Sequence, residues 1–196
     1  MLTPSNGSFF SLTQVLKRYQ KAWNLDIKIQ PRYLGAVMVA SGNKPPITVV
    51  NKGIWMNKVD LPLCSKYFQI PIQFPDSFPI QTLHVIRLLR VIQDEAPDRL
   101  ESILDCFYEQ IWTPKSNGAT AASKPENFRK VIPTSLANDS ELKNWFEKST
   151  SEENKTKIKL EGQELVEKGG AFGFLMAFFL GKRWDGPFPK ENEAKL

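Results

Sequence analysis

The sequence predicts an α/β chain in which helices dominate and the sheet is incomplete. Most apolar residues recur at helical spacing. Only Leu25, Ile27 and Ile29 alternate with polar neighbours, the pattern of a half-buried strand over residues 25–30, which Pro31 ends. Because the backbone groups of a strand need partners, a chain with one confident strand is predicted to lack part of its sheet.

Helices are predicted where apolar residues keep helical spacing. The strongest patterns are those of residues 80–93 and 97–112. Residues 69–79 are predicted to be extended because their prolines forbid a helix, and residues 115–124 read as a polar loop. The predicted helices are residues 10–23, 33–40, 57–68, 80–93, 97–112, 139–146, 153–168 and 174–180.

Length and composition narrow the possible functions. The chain has 196 residues, enough for one domain with a real core, and 26 basic against 21 acidic residues. The basic residues are spread out, so we predict no nucleic-acid partner and find an acidic small molecule more suitable. Cys64 and Cys106 are far apart and His84 is the single histidine. Without a CxxC motif or metal-ligand spacing, no metal site is predicted.

Targeting features are few. The most apolar run, residues 171–180, is too short to cross a bilayer, so no membrane partner is predicted. The first residues lack the apolar core and cleavage site of a secretory signal. Ala194, Lys195 and Leu196 match the shape of a C-terminal peroxisomal address, with Ala in place of Ser. The predicted location is therefore the peroxisome, with the mitochondrion or the cytoplasm as alternatives.

Residues 41–53, SGNKPPITVVNKG, form the most informative segment. Its two prolines argue against a helix there, and Gly42 and Gly53 permit unusual backbone angles at its edges. A stiff loop of this kind presents Asn43, Lys44 and Lys52 with little conformational entropy to lose on binding. Ammonium and amide groups suit a ligand with carboxylates and peptide groups. The alternative is an ordinary basic surface loop.

Several separate segments, in the right order along the chain, resemble the kappa class of glutathione transferases, a class within the DsbA-like thioredoxin group. They are LKRYQKAWNLDIKIQP, SGNKPP, NKGIWM, YFQIPIQFP, GGAFG and FFLGKRWDGPFP. The resemblance implies a thioredoxin-like fold with a helical insertion. It assigns residues 1–196 to a single domain, with the insertion at about 54–168 and the remnants of the thioredoxin-like part at 1–53 and 169–196.

The same resemblance implies a site and a reaction. Glutathione is the expected co-substrate, a small electrophile the second substrate, and a homodimer the expected assembly. Asn43 and Lys52 match the positions that bind the peptide part of glutathione. In the family a serine hydroxyl at a helix start faces the glutathione sulfur, and it favours the nucleophilic thiolate.

Two departures from the family pattern affect the rest of the site. Little precedes the first helix: a gapless match puts Asn6 at the nucleophile-activating position, whereas one inserted residue lets Ser5 and Ser8 match the two family serines. Ser5 and Ser8 also suit a helix N-cap or a frayed terminus. After Gly173 the chain passes directly to the last helix. The family's cis-proline, its Ser-Asp turn and three of four strands are therefore expected to be missing.

The predicted function is that of a kappa-type glutathione transferase, a detoxification enzyme. It would conjugate glutathione to small electrophiles or reduce peroxides through an activated thiolate. Two alternatives remain open at this point. One is a glutathione-dependent isomerase of the 2-hydroxychromene-2-carboxylate type, and the other is an inactive, truncated member of the family.

Overall fold

The computed structural model describes residues 16–69, 72–73, 80–113 and 123–173. Several predictions lie wholly or largely outside these residues: the serines Ser5 and Ser8, the first part of the 10–23 helix, most of the extended 69–79 segment, most of the 115–124 loop, the helix at 174–180 and the C-terminal tripeptide. Residues 16–20 are helical, and Lys17 ties them to a later helix through Glu101 at 2.8 Å and Asp105 at 2.7 Å.

Helices make up most of the described chain. Short 3₁₀ turns occupy Pro46–Thr48 and Pro125–Asn127, and Met56–Asp60 is a π-helical segment. None of the described helices is long and apolar enough to cross a bilayer. The helices are α1 (Leu34–Ser41), α2 (Val50–Trp55), α3 (Leu61–Phe68), α4 (Leu83–Glu95), α5 (Pro97–Trp112), α6 (Phe128–Val131), α7 (Asp139–Ser149) and α8 (Glu152–Gly169).

The predicted strand at residues 25–30 is wrong for the described part of the chain. Those residues have irregular backbone there. The alternation itself is real, since Leu25, Ile27 and Ile29 are half-buried while the polar residues between them are exposed. An alternating pattern therefore fixed which side chains turn inward, but it did not supply the neighbouring strand that a ladder needs.

The helical stretch predicted at 57–68 begins earlier than expected. It runs from Val50 through the π-helical segment to Phe68, so Lys52 and Gly53 lie inside α2 and not in a loop. The prolines act only upstream: Pro46 starts the 3₁₀ turn, where its fixed φ and missing N–H cost nothing. After Val49 the chain is helical as far as Phe68, and Pro62 is accommodated in the first turn of α3, directly after the π-helical segment.

The core lies between α4 and the helices around it. Helix α4 contacts α5, α7 and α8, and α1 packs on α8. Phe128 links α5 to α7, with edge-to-face ring contacts at 5.5 Å to Phe107 and 6.3 Å to Phe146. The largest fully buried side chains come mainly from α4 and α5: Trp112, Tyr108, Phe107, Phe128, Ile86, Leu88, Leu89, Ile92, Ile103, Leu104, Ile111 and Ile132.

An ion-pair network connects α4, α8 and the segment before α1. Arg90 is only 8% exposed and pairs with Glu161 at 3.0 Å and with Asp94 at 2.5 Å. Glu161 also pairs with Arg32 at 3.3 Å, and Lys157 pairs with Asp94 at 2.8 Å. Charges removed from water need such partners. The network therefore fixes α8 against α4 and positions the segment that leads into α1.

Residues 46–68, which we call the arm, stand apart from this core. The helical elements of the arm contact chiefly one another. Leu61 is its fully buried residue, at 4% exposure, and belongs to the core. Beyond the arm, the Gln73 backbone N–H donates to the Trp112 carbonyl at 2.7 Å. The arm is therefore anchored along one side and exposed along the other.

Candidate functional site

The predicted binding residue Asn43 lies just after α1. Gly42 ends that helix with φ at 71°, the left-handed conformation for which glycine was expected. The Asn43 side-chain oxygen then accepts the Lys44 backbone N–H at 2.8 Å, and Ser41 Oγ accepts the Asn43 N–H at 3.4 Å. These local hydrogen bonds order the start of the loop before any ligand is considered.

The Asn43 side chain also reaches a distant part of the chain. Its Nδ2 donates to the Phe172 carbonyl oxygen at 2.6 Å, across 129 positions of sequence. A Cβ on Gly173 would lie 3.6 Å from the same nitrogen. The SGNKPP and GGAFG segments, which sequence analysis treated as separate motifs, therefore meet at Asn43. An amide nitrogen has two N–H groups, and the second makes no hydrogen bond to a described residue.

Lys52 occupies a different setting from the one predicted. It is exposed on α2, one residue before Gly53, and its ammonium forms no ion pair with a described residue. Its side chain and that of Asn43 are not hydrogen-bonded to each other in the described structure. The free ammonium is available to a carboxylate, but the helix and not the prolines holds its position.

The residues predicted to activate the glutathione sulfur lie outside the described part of the chain. Ser5, Ser8 and Asn6 precede the described residues, and the chain beyond Gly173 follows them. Their roles as catalytic residues therefore stay predictions.

The two cysteines are poorly suited to thiolate chemistry. Burial raises the pKa of the Cys64 thiol, and the nearby Asp60 carboxylate adds to the effect. Burial also raises the pKa of Cys106, helped by Glu109 and Asp105. A raised pKa leaves less thiolate near neutral pH. These thiols behave as small, partly buried side chains.

The single histidine and the acidic side chains of the described residues form no further site. His84 is exposed on α4. Among the described residues no three His, Cys, Asp or Glu side chains are grouped so that they could hold a metal ion.

Sequence analysis missed a cleft of about 230 Å³ between the Pro125–Asn127 turn, α6 and α7. Phe128, Leu142 and Phe146 form its apolar part, and its charged groups are two cations and two carboxylates: Arg129, Lys143, Glu126 and Asp139. Arg129 helps to build it by donating to the Ala137 carbonyl at 2.7 Å. Asn43 and Lys52 do not line this cleft. Its residues lie in two separate short segments, so no local motif announced it.

The helical architecture and the joined SGNKPP and GGAFG segments agree with one class of protein. The chain belongs to the family of DSBA-like thioredoxin domains, which it matches over residues 10–189. The thioredoxin-like fold class is thereby confirmed at the level of the family, although the described residues around the predicted strand are irregular.

Particular relatives narrow the class further. The chain is 27% identical to glutathione S-transferase kappa 1 of Rattus norvegicus over 209 aligned residues, covering 93% of this chain and 90% of the relative. The same figures hold for glutathione S-transferase kappa 1 of Homo sapiens. That of Caenorhabditis elegans is 26% identical over 106 residues, covering 51% of this chain and 46% of the relative. The predicted resemblance to the kappa class is confirmed.

The alignments also bear on the expected missing segment. The 209 aligned positions exceed the 196 residues of the chain, so the alignments with the rat and human proteins place gaps in this sequence. This agrees with a chain that is shorter than its relatives at internal positions. The division into an insertion at about 54–168 and two remnants stays a prediction.

Proposed function

We propose that this chain binds glutathione at the junction of the SGNKPP and GGAFG segments and acts as a kappa-type glutathione transferase. The observation that carries the proposal is the 2.6 Å hydrogen bond from Asn43 Nδ2 to the Phe172 carbonyl. It unites two of the segments that carry the family resemblance. The names of the rat and human relatives support glutathione as the ligand.

In this proposal Asn43 and Lys52 have distinct roles. Asn43 holds the backbone of the GGAFG segment with one amide N–H and offers the second to a peptide oxygen of glutathione. Lys52, which has no ion pair with a described residue, neutralises a glutathione carboxylate. The first role is positional and the second electrostatic, so substitutions at the two residues have separable effects.

The chemistry belongs to the glutathione sulfur. A hydroxyl of Ser5 or Ser8 donates a hydrogen bond to the thiolate, which attacks an electrophilic carbon to form a C–S bond and expel the leaving group. With a peroxide, the thiolate attacks one oxygen and breaks the O–O bond, which gives a sulfenic acid and releases the other oxygen as an alcohol after it takes up a proton. A second glutathione then attacks the resulting sulfenic acid, giving glutathione disulfide and water.

We further propose a homodimer, from the family resemblance, and a peroxisomal location, from Ala194, Lys195 and Leu196.

A second candidate is a family member that binds glutathione without turning it over. The gaps in the alignments with the rat and human relatives favour it: if they fall after Gly173, where family segments are expected to be missing, groups that surround the sulfur are lost. An isomerase that adds and later expels the same thiolate fits the same binding residues. No observation in the described structure prefers it.

Calorimetric titration with glutathione tests the binding proposal. We expect Lys52→Ala to weaken affinity about tenfold, the loss typical of one charge-assisted hydrogen bond. Lys58→Ala is the matched control, since Lys58 is also an exposed lysine of the arm without an ion pair to a described residue. Equal losses in the two variants would leave only a non-specific basic surface. Absence of binding by the parent protein would refute the proposal.

Turnover of a chromogenic electrophile separates the two candidates. We expect Ser5→Ala or Ser8→Ala to reduce kcat with little change in glutathione affinity, because the hydroxyl acts on the sulfur and not on the peptide. Binding by the parent without any turnover would establish the non-catalytic candidate instead.

A further inference from the structure

The arm presents an apolar stripe to solvent. Trp55, Val59, Leu63 and Tyr67 recur every four residues and are 62%, 36%, 61% and 78% exposed, whereas Leu61 lies on the anchored side. In a pure α-helix, positions four apart drift steadily around the axis. The π-helical segment Met56–Asp60 turns less per residue and offsets this drift. The stripe therefore stays on one face for three intervals.

The charge around this stripe has one dominant sign. Lys58 and Lys66 are exposed beside it, and Asp60, the one carboxylate of the arm, is only half-exposed. Neither lysine forms an ion pair with a described residue. Of the lysines of α7 and α8, Lys148, Lys155, Lys157 and Lys168 each pair with a carboxylate, whereas Lys143 and Lys159 are exposed and form no ion pair with a described residue. The arm differs in that two such lysines lie beside a row of exposed apolar side chains.

We propose that the arm docks on an anionic lipid bilayer surface. Helical segments with lysines beside an apolar face that carries tryptophan lie in the plane of such a surface. Trp55 and Tyr67 place amphipathic rings at the level of the headgroups, Leu63 enters the acyl boundary, and Lys58 and Lys66 meet lipid phosphates. Apolar side chains exposed in a continuous row are unusual in a protein surface that has no partner.

A second copy of the chain is the main competing occupant, and the charges argue against it. A two-fold contact uses the same patch on both subunits. Two arms packed stripe to stripe would bring the lysines of one toward the lysines of the other, and Asp60 alone is available to compensate. An anionic bilayer instead supplies the opposite charge to every lysine.

This docking differs from spanning a membrane. The sequence argument against a membrane partner rested on the length of apolar runs, and no described helix could span a bilayer. Run length does not detect a stripe that appears only every fourth residue. The inference also stands apart from the glutathione proposal, because Lys58, Lys66 and Leu63 have no role in that site.

Vesicle sedimentation with the full chain tests the proposal. We expect co-sedimentation with phosphatidylcholine vesicles that contain about one third phosphatidylserine, and little with phosphatidylcholine alone. Leu63→Ser should lower the partition coefficient about tenfold through lost apolar burial. Lys58→Gln with Lys66→Gln should lower it about thirtyfold, and salt should weaken the parent's binding.

The matched control is Lys28→Gln with Lys168→Gln. Both of these lysines are 76% exposed and lie outside the arm. We expect this double variant to sediment with the anionic vesicles as the parent does. An equal loss in the control would overturn the proposal, since net charge alone would then explain the binding.

Three other results would also overturn it: no sedimentation, equal sedimentation with neutral vesicles, or a Leu63→Ser variant that binds like the parent. Light scattering without lipid examines the competing occupant. A dimer that Leu63→Ser converts to a monomer would assign the stripe to a second copy. A parent and a variant of the same mass, together with the expected sedimentation, support the bilayer.

Discussion

Helices α4 and α5 and the arm have similar apolar periodicity but opposite surroundings. In α5, Leu100, Ile103, Leu104 and Phe107 are buried. In the arm, the side chains that recur at helical spacing point outward, and among the arm residues whose burial is described Leu61 alone is fully buried. An amphipathic pattern therefore predicts a helix and its apolar face, whereas the presence of a neighbouring element decides whether that face is covered.

The same two regions handle charge differently. Arg90 is nearly buried and is held by Glu161 and Asp94, whereas Lys58 and Lys66 are exposed and form no ion pair with a described residue. A buried charge must be paired, but an exposed one can remain free. The core therefore uses charge to fix its helices, and the arm keeps its charge available to a partner.

The largest expected difference in stability is between two variants that each lose one aromatic side chain, one from the core and one from the arm. Phe107→Ala should lower the free energy of unfolding by about 4 kcal/mol, because it leaves a cavity beside Phe128. Trp55→Ala should change it by less than about 0.5 kcal/mol, because its ring is largely exposed. Urea unfolding at low protein concentration measures both. A loss at Trp55 as large as that at Phe107 would contradict the picture of an uncovered arm.

The ion-pair network gives the next effect. Glu161→Gln should cost about 3 kcal/mol, because it leaves Arg90 and Arg32 poorly compensated in a partly buried place. Glu164→Gln, one turn along α8, removes an exposed pair with Lys168 and a minor electrostatic interaction with Arg32, and should leave stability nearly unchanged. Thermal unfolding of the two variants distinguishes them. Equal melting temperatures would mean that the network does not hold α8 in place.

The contact between α1 and α8 supplies a smaller test. A Cβ at Gly162 would lie 2.7 Å from the Cβ of Ala36, so Gly162→Ala should destabilise by about 1 kcal/mol in spite of better helix propensity. Adding Ala36→Gly should restore part of the loss by making room. Urea unfolding of the single and double variants gives the coupling energy. Simple additivity of the two changes would show that the helices relax apart.

The smallest expected effect is the change in stability as the pH is lowered. Burial tends to raise the pKa of Asp94, but hydrogen bonds from Lys157 and Arg90 outweigh it and hold this pKa below its ordinary value. The stabilisation is therefore present above the unfolded-state pKa and is lost as pH falls below about 4. Because Asp94 is half-exposed, we expect well under about 1 kcal/mol. Asp94→Asn should flatten the acid side of the stability profile, and an unchanged profile would exclude this role.

Much of the helical part was predictable because its signals are local. The prediction of residues 97–112 is confirmed as Pro97–Trp112, since Pro97 fits the first turn of a helix and the apolar period is regular. Residues 139–146 and 153–168 correspond to Asp139–Ser149 and Glu152–Gly169. A capping box of Asn138 and Glu141 starts the first of these helices.

The candidate site was less predictable. Asn43 was predicted to bind glutathione, and that role stays a prediction; its hydrogen bond to Phe172 was not predicted, because it spans 129 positions and has no local signature. Lys52 was placed in a loop, although α2 contains it, because the influence of Pro45 and Pro46 was extended too far along the chain. The sequence did not predict the cleft beside Phe128, because its lining residues come from two separate segments and have no local signature.

By itself the sequence determined the helices, the family, the inward and outward faces of residues 25–30, and the glycine that turns the chain at Gly42. These features depend on spacing, side-chain shape and backbone freedom within a few residues. The tertiary structure alone decided that residues 25–30 form no strand in the described chain. It also decided that Asn43 donates a hydrogen bond to the GGAFG segment and that the stripe of the arm stays exposed. Each of these depends on which distant element packs alongside, and local periodicity carries no information about that neighbour.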